Sequence, residues 1–458
     1  MRQQYGDEVA ESLFKGLSQE PSVSIRLNPK KRTPQPPLGG EGMMQPSYAL
    51  CTMKAEGLGK ANYELEKVAW CPDAFYLPER PAFTFDPLFH AGVYYVQEAS
   101  SMYLAEVLRK YIQPPQPPRG SKIAGAAELS SPCIQPAYSP SGAGGAVAGK
   151  PLVALDLCAA PGGKSTLLRS LLPEDWLLVS NEPMPKRAHV LAENMIKWGH
   201  ANSIVTQNYP ADFAPLVHQF DLIVTDVPCS GEGMFRKDEG AIRDWSLENV
   251  DICWRRQRDI LTDIWPTLKP GGLLVYSTCT FNHFEDEDNV AWIASHLGAE
   301  ILEQRHFLPG RDPGEGFFIA ALRKAGKEDL QGTPADPKKL TNKIRHALRV
   351  LHDGIPAPTT KGKDIIPSHT LAMSADHLND TTYPSCELTY QEALAYLRHE
   401  VLRIEAPRGI VRVTFKGIPL GFVKNIGNRA NNLYPQEWRI RTSYTTPFCL
   451  FEQLIIDN

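Results

Sequence analysis

The chain lacks the cysteine and hydrophobic patterns that mark several classes of protein. Its nine cysteines are an odd number, they are scattered, and no two of them have the CxxC spacing. Neither a disulfide framework nor a bound metal is therefore expected. No apolar run approaches the roughly 18 residues of a membrane span, and the N-terminal residues lack the apolar core of a signal peptide. We predict a cytoplasmic protein without membrane contact, whose individual thiols are free to react.

An overall positive charge is also missing. The formal net charge of −4 argues at first against nucleic-acid binding. The charge is unevenly distributed, however, because residues 323–441 carry 19 Lys and Arg against 12 Asp and Glu, a balance of +7 that leaves −11 for the rest. A basic surface in this C-terminal third would attract phosphates, although an evenly solvated charged surface would have the same composition.

The length and the alternation of elements predict the fold class. A chain of 458 residues exceeds the about 250–300 residues that one hydrophobic core usually serves, so two or three domains are expected. Short apolar strands predicted at 152–157, 176–181, 220–226 and 272–277 are separated by helical patterns at 165–172, 186–198 and 249–268. Such alternation is typical of a parallel, doubly wound α/β sheet.

A segment poor in apolar residues precedes the first of these strands. Between residues 113 and 149, 13 of 37 residues are Pro or Gly. A segment with so little to bury cannot offset the entropy that it loses on ordering. We predict a disordered surface insertion there.

The first predicted strand leads into Cys158-Ala159-Ala160-Pro161-Gly162-Gly163-Lys164, which a predicted helix follows. Ligands of open α/β sheets bind at the carboxyl ends of the strands, and the glycines of this loop permit close approach of the backbone. Glu182 ends the second strand 24 residues after Cys158, where its carboxylate can accept hydrogen bonds from both hydroxyls of a ribose. The pattern indicates a nucleotide-like ligand, although an ordinary tight turn would also contain such glycines.

Two cysteines follow the ends of later strands. The first lies in Thr225-Asp226-Val227-Pro228-Cys229-Ser230-Gly231-Glu232-Gly233, and the second, fifty residues on, in Tyr276-Ser277-Thr278-Cys279-Thr280. A lone cysteine at a strand end is usually a packing residue, and Asp226 alone could cap a turn. The occurrence of both motifs, in order, at one edge of a sheet is what indicates a functional site.

Together, the loop and the two cysteine motifs resemble the RNA 5-methylcytosine methyltransferases of the Sun/Fmu family, over roughly residues 85–324. The resemblance implies a Rossmann-like, seven-stranded methyltransferase sheet whose antiparallel last strand lies at 316–322. It also implies S-adenosylmethionine as the cofactor. The implied cofactor contacts are Cys158, Ala159, Ala160, Pro161, Gly162, Gly163, Lys164, Glu182, Asp226 and, for the adenosine, Asn208.

The reaction explains why this family has a catalytic thiol. Carbon 5 of cytosine is barely nucleophilic until a thiolate adds at carbon 6 and converts the ring to an enamine. The resemblance makes Cys279 that nucleophile, with Lys164 as its cationic neighbour. Cys229 would assist product release. Asp226 would bond ring nitrogen 3 and the exocyclic amine of the base.

Segments on both sides of the methyltransferase motifs resemble RNA-binding parts of the same family. Residues 22–29 are similar to the start of its N-terminal RNA-binding region, residues 235–245 interleave basic and aromatic side chains, and residues 409–441 are similar to a PUA-like module. We predict a small N-terminal α+β RNA-binding region (1–86), a methyltransferase domain (87–328) and a C-terminal RNA-binding region (329–458), PUA-like and β-rich over about 386–458. The predicted RNA contacts are Arg26, Arg236, Lys237, Arg429, Arg439 and Arg441.

The run 229–237 resembles the ribosomal branch of the family. The resemblance therefore implies an enzyme, a monomer without a metal, that forms 5-methylcytosine in 16S ribosomal RNA or in the small ribosomal subunit. The same chemistry on transfer RNA and a noncatalytic ribosome-assembly factor are the alternatives. DNA methylation is disfavoured, because DNA cytosine methyltransferases use a Pro-Cys-Gln motif, whereas Pro228-Cys229-Ser230 is paired with a second Thr-Cys.

Overall fold

The computed structural model describes residues 2–31, 52–54, 62–112, 152–326, 337–362 and 364–442. The insertion predicted at 113–149 and the last residues of the predicted C-terminal region, 443–458, lie outside the described residues. Among the helices that are described, none combines the length and the apolar character that crossing a membrane requires.

An eight-stranded mixed sheet forms the centre of the protein. In chain order its strands are β1 (Val153–Asp156), β2 (Leu177–Asn181), β3 (Ser203–Thr206), β4 (Phe220–Asp226), β5 (Leu268–Thr278), β6 (Ala299–Phe307), β7 (Phe317–Lys324) and β8 (Val350–Asp353). Across the sheet the order is β6-β7-β5-β4-β1-β2-β3-β8. The strands from β1 to β5 are parallel to one another. The order reverses beside β1, and this is the position at which open α/β sheets bind their ligands.

The predicted doubly wound sheet and its antiparallel last strand are confirmed. β7 pairs antiparallel with both β5 and β6. One strand extends the predicted set of seven, because β8 pairs antiparallel with β3 and belongs to the part of the chain predicted as the C-terminal region. The sequence contains no sign of this pairing, since β8 is a four-residue strand that follows a helix far from β3 in the chain.

Both faces of the sheet are buried, which explains why its strands are apolar throughout. Successive side chains of a strand point to opposite faces. Ala154 and Leu178 therefore lie in one hydrophobic cluster, and Leu155 and Val179 lie in the cluster on the other face. The longer helices of this domain are Leu104–Tyr111, Gly163–Leu171, Pro185–Trp198, Leu247–Ile264, Glu287–Leu297 and Pro337–Ala347.

Shorter helical segments connect these elements. They are Phe83–Phe85, Pro87–His90, Ser100–Tyr103, Pro210–Leu216, Glu232–Met234, Glu239–Asp244, Trp265–Thr267, His369–Met373, Ala375–His377 and Gln436–Trp438. Several begin with a capping side chain. Asp86, for example, accepts a hydrogen bond from Leu88 N at 2.9 Å, which satisfies a backbone donor at the helix start.

The N-terminal region contains two helices and a three-stranded antiparallel sheet. The helices are Arg2–Tyr5 and Asp7–Leu17, and the strand Val23–Leu27 lies between Ala74–Leu77 and Tyr94–Val96. Val23–Leu27 lies within residues 22–29, the segment that resembles the start of the family's N-terminal RNA-binding region. Two further short strands, Thr52–Lys54 and Asn62–Glu64, pair antiparallel with each other.

The C-terminal region has a four-stranded sheet in the order Ser385–Glu387, Gly409–Phe415, Ile418–Asn425 and Ala430–Asn432. The strands Gly409–Phe415 and Ile418–Asn425 pair antiparallel as a hairpin. Lys416 and Gly417 have φ values of 51° and 74°, as a tight two-residue hairpin turn requires. The helix Tyr390–Leu397 lies beside this sheet, and the strands Thr359–Lys361 and Asp364–Ile366 form a further hairpin.

The two ends of the described chain pack against each other. Leu88 and Tyr94 of the N-terminal part share one hydrophobic cluster with Leu394 and Val411 of the C-terminal sheet. The Tyr390 hydroxyl donates a hydrogen bond to Phe85 O at 3.0 Å across the same contact. The two regions predicted to bind RNA therefore share one apolar core.

Candidate active site

The loop at 158–164 lies between β1 and the helix Gly163–Leu171, at the carboxyl edge of the sheet. Ala159 N donates to Asn181 O at the end of β2, at 2.8 Å, which fixes the start of the loop. Gly162 has a φ of 120°, a value that residues with a side chain rarely adopt. The thiol of Cys158 accepts from Thr225 Oγ1, and burial raises its pKa to about 12.

Two buried carboxyl groups border this loop. Asp156 and Glu182, at the ends of β1 and β2, are 0% and 2% exposed. One oxygen of Asp156 accepts from Ser165 Oγ at 2.7 Å, whereas its Oδ1 has no hydrogen-bond partner among the described residues. Burial raises the pKa of Asp156 to about 7. Glu182 Oε1 accepts from Met184 N at 3.0 Å.

These groups fit S-adenosylmethionine. The cofactor carries a sulfonium, an ammonium group and two ribose hydroxyls, and a buried acceptor without a partner is costly unless a ligand supplies a donor or a positive charge. The loop 158–164 and Glu182 lie where the sequence analysis placed the cofactor contacts, and their contact with the cofactor stays a prediction. Asp156 is an addition that the sequence analysis missed, although its place as an acid at the end of an apolar strand was a signal.

Asn208 lies at the carboxyl edge beyond β3, but its amide is occupied within the protein. Asn208 Oδ1 accepts from Arg349 N at 3.0 Å, and Nδ2 donates to Asp212 at 3.3 Å. Asn208 as an adenosine contact stays a prediction, and it requires one of these bonds to be shared or exchanged. Asn181, which the sequence analysis did not single out, bonds Leu157 O and the backbone of Asn208 and thereby joins three strand ends.

The two motif cysteines meet at the ends of β4 and β5. The sulfurs of Cys229 and Cys279 are 3.0 Å apart, both residues are partly buried, and both are free thiols. Cys279 N donates to the Cys229 sulfur at 3.3 Å. The hydrogen bond with Cys279 and the burial of Cys229 raise the Cys229 pKa well above its ordinary value. Cys229 therefore remains a thiol that can donate its hydrogen to the sulfur of Cys279.

A lysine and an aspartate form an ion pair beside these thiols. Lys164 Nζ lies 2.8 Å from Asp226 Oδ2, and Asp226 Oδ1 accepts from Ser277 Oγ at 2.7 Å. Burial opposes the charge of Lys164, but Asp226 outweighs it and raises the pKa of Lys164. The four predicted catalytic residues, at the ends of β1, β4 and β5, are therefore brought together.

A buried carboxylate, Glu285, holds the two cysteine loops in place. It accepts from Ser230 N at 3.0 Å, from Gln257 Nε2 at 2.7 Å and from Asn282 Nδ2 at 2.8 Å. Because Ser230 follows Cys229 and Asn282 lies three residues after Cys279, Glu285 connects both loops. Burial raises the pKa of Glu285, against the effect of these donors.

Glu232 makes a second connection of the same kind. Its side chain, 1% exposed, accepts from Thr280 Oγ1 and from Phe281 N, each at 2.7 Å. Its other oxygen accepts from Trp245 Nε1 at 3.0 Å. The sequence analysis missed both glutamates, since their partners lie about fifty positions away along the chain.

Two of the predicted RNA contacts are corrected by the structure. Arg26 is 1% exposed, and its guanidinium donates to Gln97 and Thr166 and lies 4.6 Å from the Trp198 ring. It therefore joins the N-terminal sheet to the helix after β1. The side chain of Arg236 is 6% exposed and pairs with Glu315 at 2.9 Å. Buried guanidinium groups with protein partners cannot contact a phosphate.

The remaining predicted RNA contacts face solvent to different degrees. Lys237 is exposed, with its Nζ 3.4 Å from a Glu315 oxygen. Arg429, Arg439 and Arg441 are exposed on or beside the C-terminal sheet. All four are accessible to a negatively charged ligand, and their role stays a prediction.

The sheet order, the loop after β1 and the two thiols at neighbouring strand ends define a Rossmann-like methyltransferase. Residues 150–323 match the family model of 16S rRNA methyltransferase RsmB/F, residues 383–440 match that of the methyltransferase RsmF PUA domain, and residues 43–99 match that of the N-terminal domain of 16S rRNA methyltransferase RsmF. Residues 150–323 therefore form a domain of the RsmB/F family of 16S rRNA methyltransferases, and the segments on either side are similar to the N-terminal and PUA domains of RsmF. The protein uses S-adenosylmethionine, as the sequence predicted.

Curated relatives share this organisation over most of the chain. Ribosomal RNA small subunit methyltransferase F of Aliivibrio salmonicida is 27% identical over 82% of this chain and 86% of that protein, and the one of Shewanella loihica is 27% identical over 86% and 89%. The protein of the same name from Pectobacterium atrosepticum is 31% identical over 58% of this chain, an alignment that spans about half (52%) of that relative. The crystal structure of PH0851 has a TM-score of 0.51 at 20% identity, over 70% of this chain and 64% of that one, which shows a similar fold.

Proposed function

We propose that this protein transfers a methyl group from S-adenosylmethionine to carbon 5 of a cytosine in 16S ribosomal RNA. The observation that carries the proposal is the 3.0 Å contact between the sulfurs of Cys229 and Cys279, beside the ion pair of Lys164 and Asp226. The names of the curated relatives, ribosomal RNA small subunit methyltransferase F, support the choice of RNA.

The first step needs a thiolate at carbon 6 of the base. Cys279 supplies it, and the Cys229 thiol and the Lys164 ammonium stabilise its charge until the carbon–sulfur bond forms. Asp226 accepts a hydrogen bond from the exocyclic amine of cytosine, which aligns the ring. Addition moves the electron pair of the 5,6 double bond toward carbon 5 and makes that carbon nucleophilic.

The second step transfers the methyl group and releases the product. S-adenosylmethionine, when bound, supplies the electrophilic methyl group. Carbon 5 then carries both a methyl group and a hydrogen, so a base must remove the proton before the double bond can re-form and expel Cys279 as a thiolate. We assign help in this release to Cys229: its thiol passes its proton to the departing Cys279 sulfur, and the Cys229 thiolate so formed takes the proton from carbon 5.

The exposed arginines Arg429, Arg439 and Arg441, together with Lys237, would contact RNA phosphates. A monomer that works in the cytoplasm, away from membranes, belongs to the same proposal, and sedimentation and cell fractionation test it. The proposed chemistry needs no metal ion at the thiols.

Mass spectrometry tests the proposal directly. Purified protein and S-adenosylmethionine are incubated with naked 16S RNA, with small ribosomal subunits and with transfer RNA, and each RNA is digested to nucleosides. We expect 5-methylcytidine from a ribosomal substrate alone. Its appearance in transfer RNA would favour that alternative, and RNA binding without a methylated nucleoside from any substrate would favour the assembly-factor alternative.

A further inference from the structure

A histidine and two acids meet beside the strand that bears Cys279, outside the proposed chemistry. Asp286 and Glu287 stand at the start of the helix Glu287–Leu297, and His306 lies near the end of β6. One potential ligand atom from each of the three lies within 4.8 Å of the others. Acidic side chains at the N-terminus of a helix interact favourably with the helix dipole. That interaction does not account for the nearby histidine or for its hydrogen bond to Glu287.

The hydrogen bonding leaves two acceptors facing each other. His306 Nε2 lies 2.8 Å from Glu287 Oε1, so in the neutral ring Nε2 donates to Glu287 and Nδ1 keeps a lone pair. Nδ1 is 3.9 Å from Asp286 Oδ2, and neither atom has a hydrogen-bond partner among the described residues. This distance is too long for a hydrogen bond, but two metal–ligand bonds of about 2.0–2.2 Å that meet at an angle span it.

Burial makes the lack of a partner costly. Asp286 is 0% exposed, so water cannot serve as the missing partner of its carboxyl oxygen. Its other oxygen, Oδ1, accepts from Thr278 Oγ1 at 2.5 Å, so Oδ2 is the atom left without a partner. A bound cation would stabilise the ionised carboxylate and use the lone pair of His306 at the same time.

We propose that Asp286 and His306, supported by Glu287, bind one divalent transition-metal ion of the zinc class. Asp286 Oδ2 and His306 Nδ1 are its protein ligands. Glu287 Oε1 orients the imidazole, as carboxylates commonly do for metal-bound histidines. Water completes the coordination. Nitrogen and carboxylate ligands suit Zn²⁺.

The ion would stabilise the strand end that presents the nucleophile. Thr278, bonded to Asp286, immediately precedes Cys279. The Tyr5 ring packs edge-on to His306, with 5.9 Å between ring centres, and the Tyr5 hydroxyl donates to Phe281 O. The sequence-based expectation of no metal depended on cysteine spacing, which does not test a site made of histidine and carboxylates.

Zinc binding by the full chain tests the proposal without RNA or S-adenosylmethionine, so its outcome is independent of methyl transfer. The protein is treated with EDTA, dialysed, incubated with Zn²⁺ and desalted, and bound zinc is measured by mass spectrometry. We expect about one equivalent in the wild type, and at least a tenfold loss of affinity in Asp286→Asn and His306→Gln. The absence of bound zinc in the wild type, or full binding by both variants, would overturn the proposal.

The chain offers a matched control nearby. His283 Nδ1 and Asp288 Oδ2 form an exposed pair at 2.8 Å, with 43% and 50% of the side chains accessible. His283→Gln and Asp288→Asn change the same residue types within a few positions, and we expect both to keep the zinc. If these two variants lose as much bound zinc as Asp286→Asn and His306→Gln do, then binding depends on overall charge and not on a specific site, and the proposal is overturned.

A second control addresses the thiols, since Cys229 and Cys279 could themselves capture zinc. Cys279→Ala should keep the bound equivalent, and Co²⁺ in the wild type should show ligand-field bands without an intense thiolate charge-transfer band. Loss of zinc in this variant would assign the ion to the cysteines and overturn the proposal. If Asp286→Asn fails to fold, His306→Gln decides, because Zn²⁺ should raise the melting temperature of the wild type and not of that variant.

Discussion

The glutamates that connect the two cysteine loops and the aspartate that borders the cofactor loop differ in how completely their oxygens are hydrogen-bonded. On the cysteine side, after β4 and β5, the oxygens of Glu232 and Glu285 accept hydrogen bonds from both loops. On the cofactor side, after β1 and β2, Asp156 Oδ1 has no hydrogen-bond partner among the described residues. The hydrogen bonds of the protein therefore hold the two cysteine loops in place without a ligand. On the cofactor side, a bound ligand would supply the missing partner of Asp156 Oδ1.

The largest effect is expected from the nucleophile. Cys279→Ala removes the only proposed means of attack at carbon 6, so methyl transfer should fall below about one hundredth of the wild-type rate while S-adenosylmethionine still binds. Turnover and calorimetric titration measure the two properties. Cys386→Ala, at a partly buried thiol of the C-terminal sheet, is the control and should be fully active. Appreciable turnover by Cys279→Ala would reverse the roles of the two active-site cysteines.

Replacing Cys229 should separate methylation of the base from release of the methylated RNA. Cys229→Ala should still attack and methylate the base but fail to eliminate, because the group that helps release is gone. A covalent adduct of protein and RNA should then accumulate as a slow band on a denaturing gel. The band should vanish in the double variant with Cys279→Ala. Normal turnover by Cys229→Ala would make Cys229 a packing residue.

Breaking the connection between the cysteine loops should have an intermediate effect. Glu285→Gln keeps the shape but turns an amide N–H toward groups that donate to Glu285, so the loops should shift and methyl transfer should fall by about tenfold to a hundredfold. The free energy of unfolding should fall by about 1–3 kcal/mol. Glu300→Gln, at an exposed site, is the control. Unchanged kinetics would show that Glu285 does not position the thiols.

A substitution on the cofactor side should lower the affinity for S-adenosylmethionine and leave the methyl-transfer step unchanged. Glu182→Ala removes the proposed acceptor for the ribose hydroxyls and should weaken S-adenosylmethionine by about 1–3 kcal/mol, measured by calorimetry. The adduct formed by Cys229→Ala should still appear at saturating cofactor. An unchanged affinity would move the ribose site elsewhere.

The last expected effect concerns stability alone and is a pH dependence of the ligand-free protein. Burial raises the pKa of Asp156 to about 7, above the value of about 3.9 that an aspartate has in an unfolded chain. The folded state therefore keeps the proton longer, and its stability should fall as pH rises from about 4 to 7 and level off above. Asp156→Asn should remove this part of the profile in urea denaturation. An identical profile in the variant would mean that Asp156 is already ionised in the fold.

The sequence was most informative where a function depends on short motifs at strand ends. The loop 158–164 and the positions of Cys229 and Cys279 followed from patterns within a few residues, and the structure brings them together as predicted. Contacts between distant segments could not be read in this way. Arg26 was assigned to RNA because residues 22–29 resemble an RNA-binding element, and Arg236 because residues 235–245 interleave basic and aromatic side chains. Their partners, Gln97 and Glu315, are more than 70 positions away.

The shared core of the two chain ends has a consequence during synthesis. Phe85 and Tyr390, which join the N-terminal part to the C-terminal sheet, are 305 positions apart. At about 5–20 residues per second, translation delivers the second about 15–60 s after the first. During that interval the apolar residues of the nascent N-terminal region have no partner sheet, while the methyltransferase domain between them can already close around its own core. The growing chain is therefore most exposed to aggregation, and most in need of chaperones, at its beginning.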